Sequence, residues 1–215
     1  MLDYQKDFIK FALANNVLRF GSFTLKSGRL SPYFFNTGLF NTGLQLDLLG
    51  QFYARALVNS KLKFDVMYGP AYKGIPLVCA AAISLSRMNG EPVPFAFNRK
   101  EVKDRGEGGD IVGAPLTGEV LIVDDVITAG TSIKESVEII RHHGAKPGAV
   151  LISLDRVEKG GNHLTAVEEV SQKYKVPIIS IVTIDTVIEY LGSEAAYTKE
   201  LKIMQDYRKQ FTNDG

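Results

Sequence analysis

The stretch Val120-Leu121-Ile122-Val123-Asp124-Asp125-Val126-Ile127-Thr128-Ala129-Gly130-Thr131-Ser132 decides the fold. Four apolar residues run into two adjacent carboxylates. A turn of small and hydroxylated residues follows, and then Ile133, Val137 and Ile140 recur at i, i+4 and i+7, the stripe of an amphipathic helix. The pattern predicts a buried strand, a loop and a helix start, with the chemistry in the loop. Small residues let the backbone approach a phosphate closely, and the unpaired N–H groups at a helix N-terminus point at an anion. Asp124 and Asp125 repel phosphate, so they suit ribose hydroxyls or a metal beside the phosphate. A carboxylate pair joined to a phosphate cradle points to a phosphorylated sugar. An acidic helix cap would explain one carboxylate but not two, and the Gly-Lys-Ser/Thr ending of a Walker-type loop is missing.

Outward from this stretch the same alternation repeats. Asp65–Tyr68, Val93–Phe97, Val150–Leu154 and Ile178–Val182 read as strands, with Pro94 suggesting that the second of these lies at a sheet edge. Helices are expected around Phe8, Ala12 and Leu13, from Leu44 to Val58, from Ile75 to Arg87, after Ser132 up to Gly144, and over Ala166–Tyr174. Strands alternating with helices predict a parallel sheet covered on both faces, with ligands at the carboxyl ends of the strands. Two further loops fall at or near such ends. Gly69-Pro70-Ala71-Tyr72-Lys73-Gly74 brackets a lone cation with glycines. Arg99-Lys100-Glu101-Val102-Lys103-Asp104-Arg105-Gly106-Glu107-Gly108-Gly109-Asp110 is charged, glycine-rich and almost without apolar residues, so it is expected to be mobile until a ligand orders it.

These segments resemble a known family. The central stretch is similar to the phosphoribosyl-diphosphate (PRPP) motif of type I phosphoribosyltransferases. Phe23-Thr24-Leu25-Lys26-Ser27-Gly28, Ser31-Pro32-Tyr33-Phe34-Phe35-Asn36, the Gly69–Gly74 loop, Asn98-Arg99-Lys100-Glu101 and Leu154-Asp155-Arg156 resemble, in this order, the orotate phosphoribosyltransferases. The likeness runs from Tyr4 to about Phe211. It implies an α/β type I phosphoribosyltransferase fold: a doubly wound, mostly parallel sheet flanked by helices, in a single domain over residues 1–215. A small N-terminal hood, about residues 1–40, and a mobile lid loop are expected with it.

The resemblance also assigns roles. It implies that PRPP is held by Tyr72, Lys73, Arg99, Lys100, Lys103, Arg105, Asp124, Asp125 and the run Val126, Ile127, Thr128, Ala129, Gly130, Thr131 and Ser132. Within that set Asp124 and Asp125 take the ribose hydroxyls, and Thr128 to Ser132 take the 5′-phosphate. The cations Lys73, Arg99, Lys100, Lys103 and Arg105 face pyrophosphate. Lys26, Phe34, Phe35, Thr128 and Arg156 are implied for orotate, Arg156 as a fork for its carboxylate. The catalytic group implied is Lys26, Lys73, Arg99, Lys100, Lys103, Arg105, Asp124 and Asp125. Mg²⁺ is the expected cofactor, bound mainly through PRPP oxygens. A cis peptide at Ala71–Tyr72 and a homodimer in which each lid completes the neighbouring site are further implications. Many members carry His where this chain has Arg105. Arginine stays charged and donates no proton near neutrality, so Arg105 is expected to keep only an electrostatic role, leaving Lys103 as the remaining candidate if a lid proton donor is required.

Composition is consistent with this. Apolar residues make up 45% and charged residues 23% of 215, ordinary for a globular domain. A formal charge of +1 gives no general case for nucleic acid or membrane binding. The single Cys79 excludes an internal disulfide and fits a small core position. No secretion signal is evident at the N-terminus, and the apolar run Ile75–Ile83 is far too short to span a bilayer. The cytoplasm is the expected compartment. The histidines, His142, His143 and His163, lie outside every motif. The rival readings are transfer to a purine or to uracil, and a PRPP-sensing regulator that binds nucleic acid.

Overall fold

A computed structural model describes residues 1–25, 28–103, 109–159 and 163–210, without the side chains of Val102 and Lys103. The chain opens with α1 (Asp3–Ala14) and a two-stranded antiparallel hairpin, β1 (Leu18–Thr24) and β2 (Leu30–Phe35). Helix α2 (Gly43–Ser60) follows; its N-cap Thr42 accepts from the backbone of Gln45, whose side chain bonds back to the cap. Then come β3 (Val66–Gly69), α3 (Gly74–Asn89), β4 (Phe95–Lys103), β5 (Gly109–Gly113), β6 (Glu119–Val123) and α4 (Thr131–His142). The chain closes with β7 (Lys146–Asp155), α5 (Ala166–Tyr174), β8 (Ile178–Thr183), α6 (Ile184–Ser193) and α7 (Thr198–Lys209).

Six strands form the main sheet in the order β5-β4-β3-β6-β7-β8, parallel except for the β4–β5 pair. Val120 to Val123 and Val150 to Ile152 are fully buried, as a strand covered on both faces requires. One apolar cluster, with α1, α2, α3 and α6, covers one side; a second, with α4 and α5, covers the other. Reversal of the strand order on either side of β3 and β6 leaves a crevice at their carboxyl ends.

Three expectations need correction. Pro94 does not mark an edge: β4 is flanked by β3 and β5, and Pro94 stands just before the strand, where its carbonyl accepts from Met67 N at 2.9 Å. A missing N–H costs nothing at a strand's entrance. The segment 99–110 is not one loop throughout. Its flanks are paired strands, Asn98 opposite Ile111 and Lys103 opposite Gly109, so only 104–108, which include Arg105, lie outside the described residues. Cys79 is half-buried at the margin of the core rather than inside it.

Candidate active site

The carboxyl ends of β3, β6 and β7 open into a cleft of ≈ 920 Å³. Three features of local sequence build its floor. Strand β6 runs out at Val123, so Asp124 and Asp125 emerge side by side, almost buried. Asp124 Oδ1 accepts from Asp125 N at 2.8 Å and Oδ2 from Ser132 Oγ at 2.7 Å. Burial pushes its carboxyl up to about 6, the Ser132 hydrogen bond opposing and the Asp125 charge adding to the rise. Asp125 Oδ2 accepts from Lys73 Nζ at 2.8 Å and from Thr37 Oγ1 at 3.4 Å. The backbone here is fixed from outside the motif: Tyr53 OH donates to Asp124 O at 2.8 Å and Ser153 N to Asp125 O at 2.9 Å.

The cradle follows. Gly130 adopts the left-handed region, φ 69°, and starts α4 with no side-chain cap. First-turn N–H groups of α4 therefore stay available to an anion instead of being occupied by a capping oxygen. Val126, Ile127, Thr128, Ala129 and Ser132 line the cleft in front of this helix start; Gly130 and Thr131 form the turn itself.

The third feature is the loop after β3. A Cβ on Gly69 would lie 2.2 Å from Gly74 O, and one on Gly74 would lie 2.5 Å from Pro70 Cδ, so only glycines permit this tight turn. Ala71–Tyr72 is a cis peptide. Ala71 N donates to the side chain of Asn98 at 2.8 Å, which ties the loop to β4. Tyr72 is exposed and Lys73 stands over Asp125.

The other end of the cleft is lined by Phe34 and Phe35 from the hairpin and by Arg156 beyond β7. Arg156 Nη2 donates to Ser31 Oγ at 3.2 Å and to Glu158 Oε1 at 2.7 Å, and its guanidinium lies 4.3 Å from the Tyr33 ring centre. Arg99 and Lys100 are not brought to this cleft. Arg99 Nη1 reaches Gly109 O at 3.2 Å across the β4–β5 ribbon, and Lys100 pairs with Glu135 of α4 at 3.4 Å. Lys26, Arg105 and the side chain of Lys103 lie outside the described residues.

Sequence reasoning did not single out Tyr53, Thr37, Asn98, Ser153, Arg29 or Glu158. Ser153 carried a signal, a hydroxyl in an otherwise apolar strand, and Asn98 stood inside a quoted motif. Tyr53 looks like any other apolar-face residue of α2.

The phosphoribosyl transferase domain family matches residues 45–183, from α2 to the end of β8, and so takes in every strand of the main sheet. That is the class of protein the sheet and its loops define. The chain is 59% identical over 211 residues to the orotate phosphoribosyltransferase of Methylococcus capsulatus, covering 98% of this chain and 99% of that one. It is 55% identical to the enzyme of the same name from Thiobacillus denitrificans, with the same coverage. The crystal structure of the Francisella tularensis orotate phosphoribosyltransferase superposes with a TM-score of 0.86 at 42% identity, over 95% of this chain and 98% of that one. The chain belongs to the orotate phosphoribosyltransferase family.

Proposed function

We propose that the chain transfers the phosphoribosyl group of PRPP to orotate, giving orotidine 5′-monophosphate and pyrophosphate, the phosphoribosyl step of de novo pyrimidine (UMP) biosynthesis. The observation that carries this reading is the pairing within one cleft of a sugar-phosphate end, Asp124, Asp125 and the uncapped α4, with an aromatic and cationic end, Phe34, Phe35 and Arg156. Orotate is a flat anion bearing a carboxylate, which suits a planar guanidinium.

The 5′-phosphate sits on the first turn of α4, and the carboxylates of Asp124 and Asp125 accept from the ribose hydroxyls. The bond from the anomeric carbon to pyrophosphate oxygen breaks while an orotate ring nitrogen attacks the same carbon. Positive charge builds on the sugar and negative charge on the leaving group. Little covalent help is needed; the protein orients both reactants and neutralises pyrophosphate with Lys73. In this reading PRPP displaces Lys73 from Asp125, so their ion pair holds the ammonium ready near the leaving group.

Mg²⁺ fits this donor set as a substrate-borne ion. Among the described residues no group of three acidic, histidine or cysteine side chains converges, and a hydrated Mg²⁺ carried by phosphate needs only one or two carboxylates, here Asp125 or Asp124. When bound, it would neutralise charge on the leaving pyrophosphate.

Arg99, Lys100, Lys103 and Arg105 act in this proposal from the β4–β5 ribbon of a neighbouring subunit, closing over pyrophosphate and excluding water. Support for a homodimer is that Arg99 and Lys100 do not line their own cleft, together with the resemblance in the lid. No described helix is long and apolar enough to cross a membrane, and we place the enzyme in the cytoplasm. The test is a panel of bases with PRPP: orotate is consumed while uracil and hypoxanthine are inert. Turnover of uracil or hypoxanthine instead would transfer the same chemistry to another substrate.

A further inference from the structure

The turn after β7 carries an arrangement that the transfer chemistry leaves unused. Val157, between Arg156 and Glu158, has φ 49°. A β-branched residue in the left-handed region is strained, and such strain persists only where the surroundings impose it. Here Asp155 Oδ1 accepts from Val157 N at 2.8 Å and Arg208 Nη1 donates to Val157 O at 3.2 Å. The outcome is that Arg156 and Glu158 both line the cleft.

Glu158 is then a hub. Its Oε1 accepts from Arg156 Nη2 at 2.7 Å, Tyr33 OH at 3.1 Å and Tyr207 OH at 3.0 Å, and its Oε2 accepts from Arg29 Nη1 at 3.2 Å. The donors come from the hood hairpin, from the turn itself and from α7, three parts of the chain distant in sequence. Burial raises both phenols above their ordinary range, the Tyr33 phenol well above it, so both remain neutral donors at any working pH. Neither carboxylate oxygen is left to rotate freely, and Arg156 is clamped from one side by Glu158 and lies against Tyr33 on its face.

We propose that Glu158, braced by Tyr33 and Tyr207, is a positioning residue that fixes the guanidinium of Arg156 in the orientation that receives the orotate carboxylate. This rests on the orotate reading above. A long, flexible arginine held before the ligand arrives loses less freedom on binding, so the clamp acts on orotate affinity and on the choice of an anionic over a neutral base. It does not touch the reacting atoms.

Initial rates with orotate and PRPP test it on wild type, Glu158→Gln, Glu158→Asp and Tyr207→Phe. Glu158→Gln keeps the shape but not the charge; it should raise KM for orotate about tenfold while kcat and the KM for PRPP stay within about twofold. Glu158→Asp keeps the charge on a shorter arm and should fall between the two. Tyr207→Phe removes one brace without altering charge and should raise the orotate KM about two- to threefold. A merely structural Glu158 would instead lower the melting temperature and kcat and leave the orotate KM unmoved, which overturns the proposal. Should Glu158→Gln fail to fold, Tyr207→Phe decides alone, and an unchanged orotate KM overturns it equally. A wild-type chain inert toward orotate but active on another base sinks the underlying reading and this proposal with it; active wild type with unmoved variants sinks this proposal alone.

Discussion

Replacing Asp124 with Asn should make the protein more stable and less active, by amounts that depend on pH. Asp124 is 6% exposed and its carboxyl is pushed up to about 6 from an ordinary 3.8. The folded form therefore holds the proton more tightly than the unfolded form. Below about pH 4 the group is neutral in both states and costs nothing. As pH rises through 6 the folded protein has to carry a buried charge, and the cost grows to about 3 kcal/mol at pH 8, from 1.36 kcal/mol per tenfold change. Asn removes the charge and keeps both hydrogen bonds: its Oδ1 can accept from Asp125 N, and its Nδ2 can donate to Ser132 Oγ. In urea titrations Asp124→Asn should gain up to about 3 kcal/mol at pH 8 and about half of that at pH 5, which for a chain of this size is a melting rise of about 6–12 °C at the higher pH. Loss of a charged acceptor for the ribose hydroxyls should cut kcat/KM by about 10- to 100-fold. A variant less stable than wild type at pH 8, or a gain equal at both pH values, would refute the view that this carboxylate is held buried against its own preference for the sake of its ligand.

Three other sites give sharp expectations. Lys73→Met breaks an ion pair on a half-exposed lysine, so stability should move by at most about 1 kcal/mol while kcat/KM falls about 100-fold or more, read by denaturation and steady-state rates. Gly69→Ala sets a Cβ 2.2 Å from a backbone oxygen and should cost about 4 kcal/mol or more, whereas Gly43→Ala meets nothing within 4 Å and should stay within about 1 kcal/mol of wild type. If each lid serves its neighbour, mixing subunits of Lys73→Met with subunits of Arg105→Ala should restore about a quarter of the wild-type sites, and a lid serving its own site would restore none. Arg105→His should leave kcat and its pH profile nearly unchanged, because the arginine acts through charge; a large rise in kcat with an altered profile would contradict that.

The legible parts of the sequence were those where one segment carries its own pattern. β6, β7 and β8 are apolar runs with no rival reading, and α4 shows its stripe within ten residues. The Asp124–Ser132 stretch was readable because ribose, phosphate and helix start are served by consecutive residues. β5 stayed hidden because the glycines and charges around it read as one polar loop, although Lys100 and Glu101 simply lie on an exposed ribbon whose pairing only the tertiary fold supplies. The hood hairpin, α6 and α7 were likewise not read as elements. Supports of the site were the least legible. Tyr53, Asn98, Ser153 and Glu158 each sit in a different element, and each acquires its role by reaching a partner at least 27 residues away in three of the four cases: Tyr53 to Asp124, Asn98 to Ala71 and Ser153 to Asp125. Glu158 adds to its near neighbour Arg156 the distant Tyr33 and Tyr207.

If one cleft joins a phosphoribosyl donor to orotate, orotate absorbance and released pyrophosphate should be followed together, with PRPP and Mg²⁺ each present or omitted. Orotate is expected to disappear and pyrophosphate to appear in equal amounts, only when both are supplied. PRPP binding without orotate loss, or pyrophosphate released while orotate persists, would contradict it.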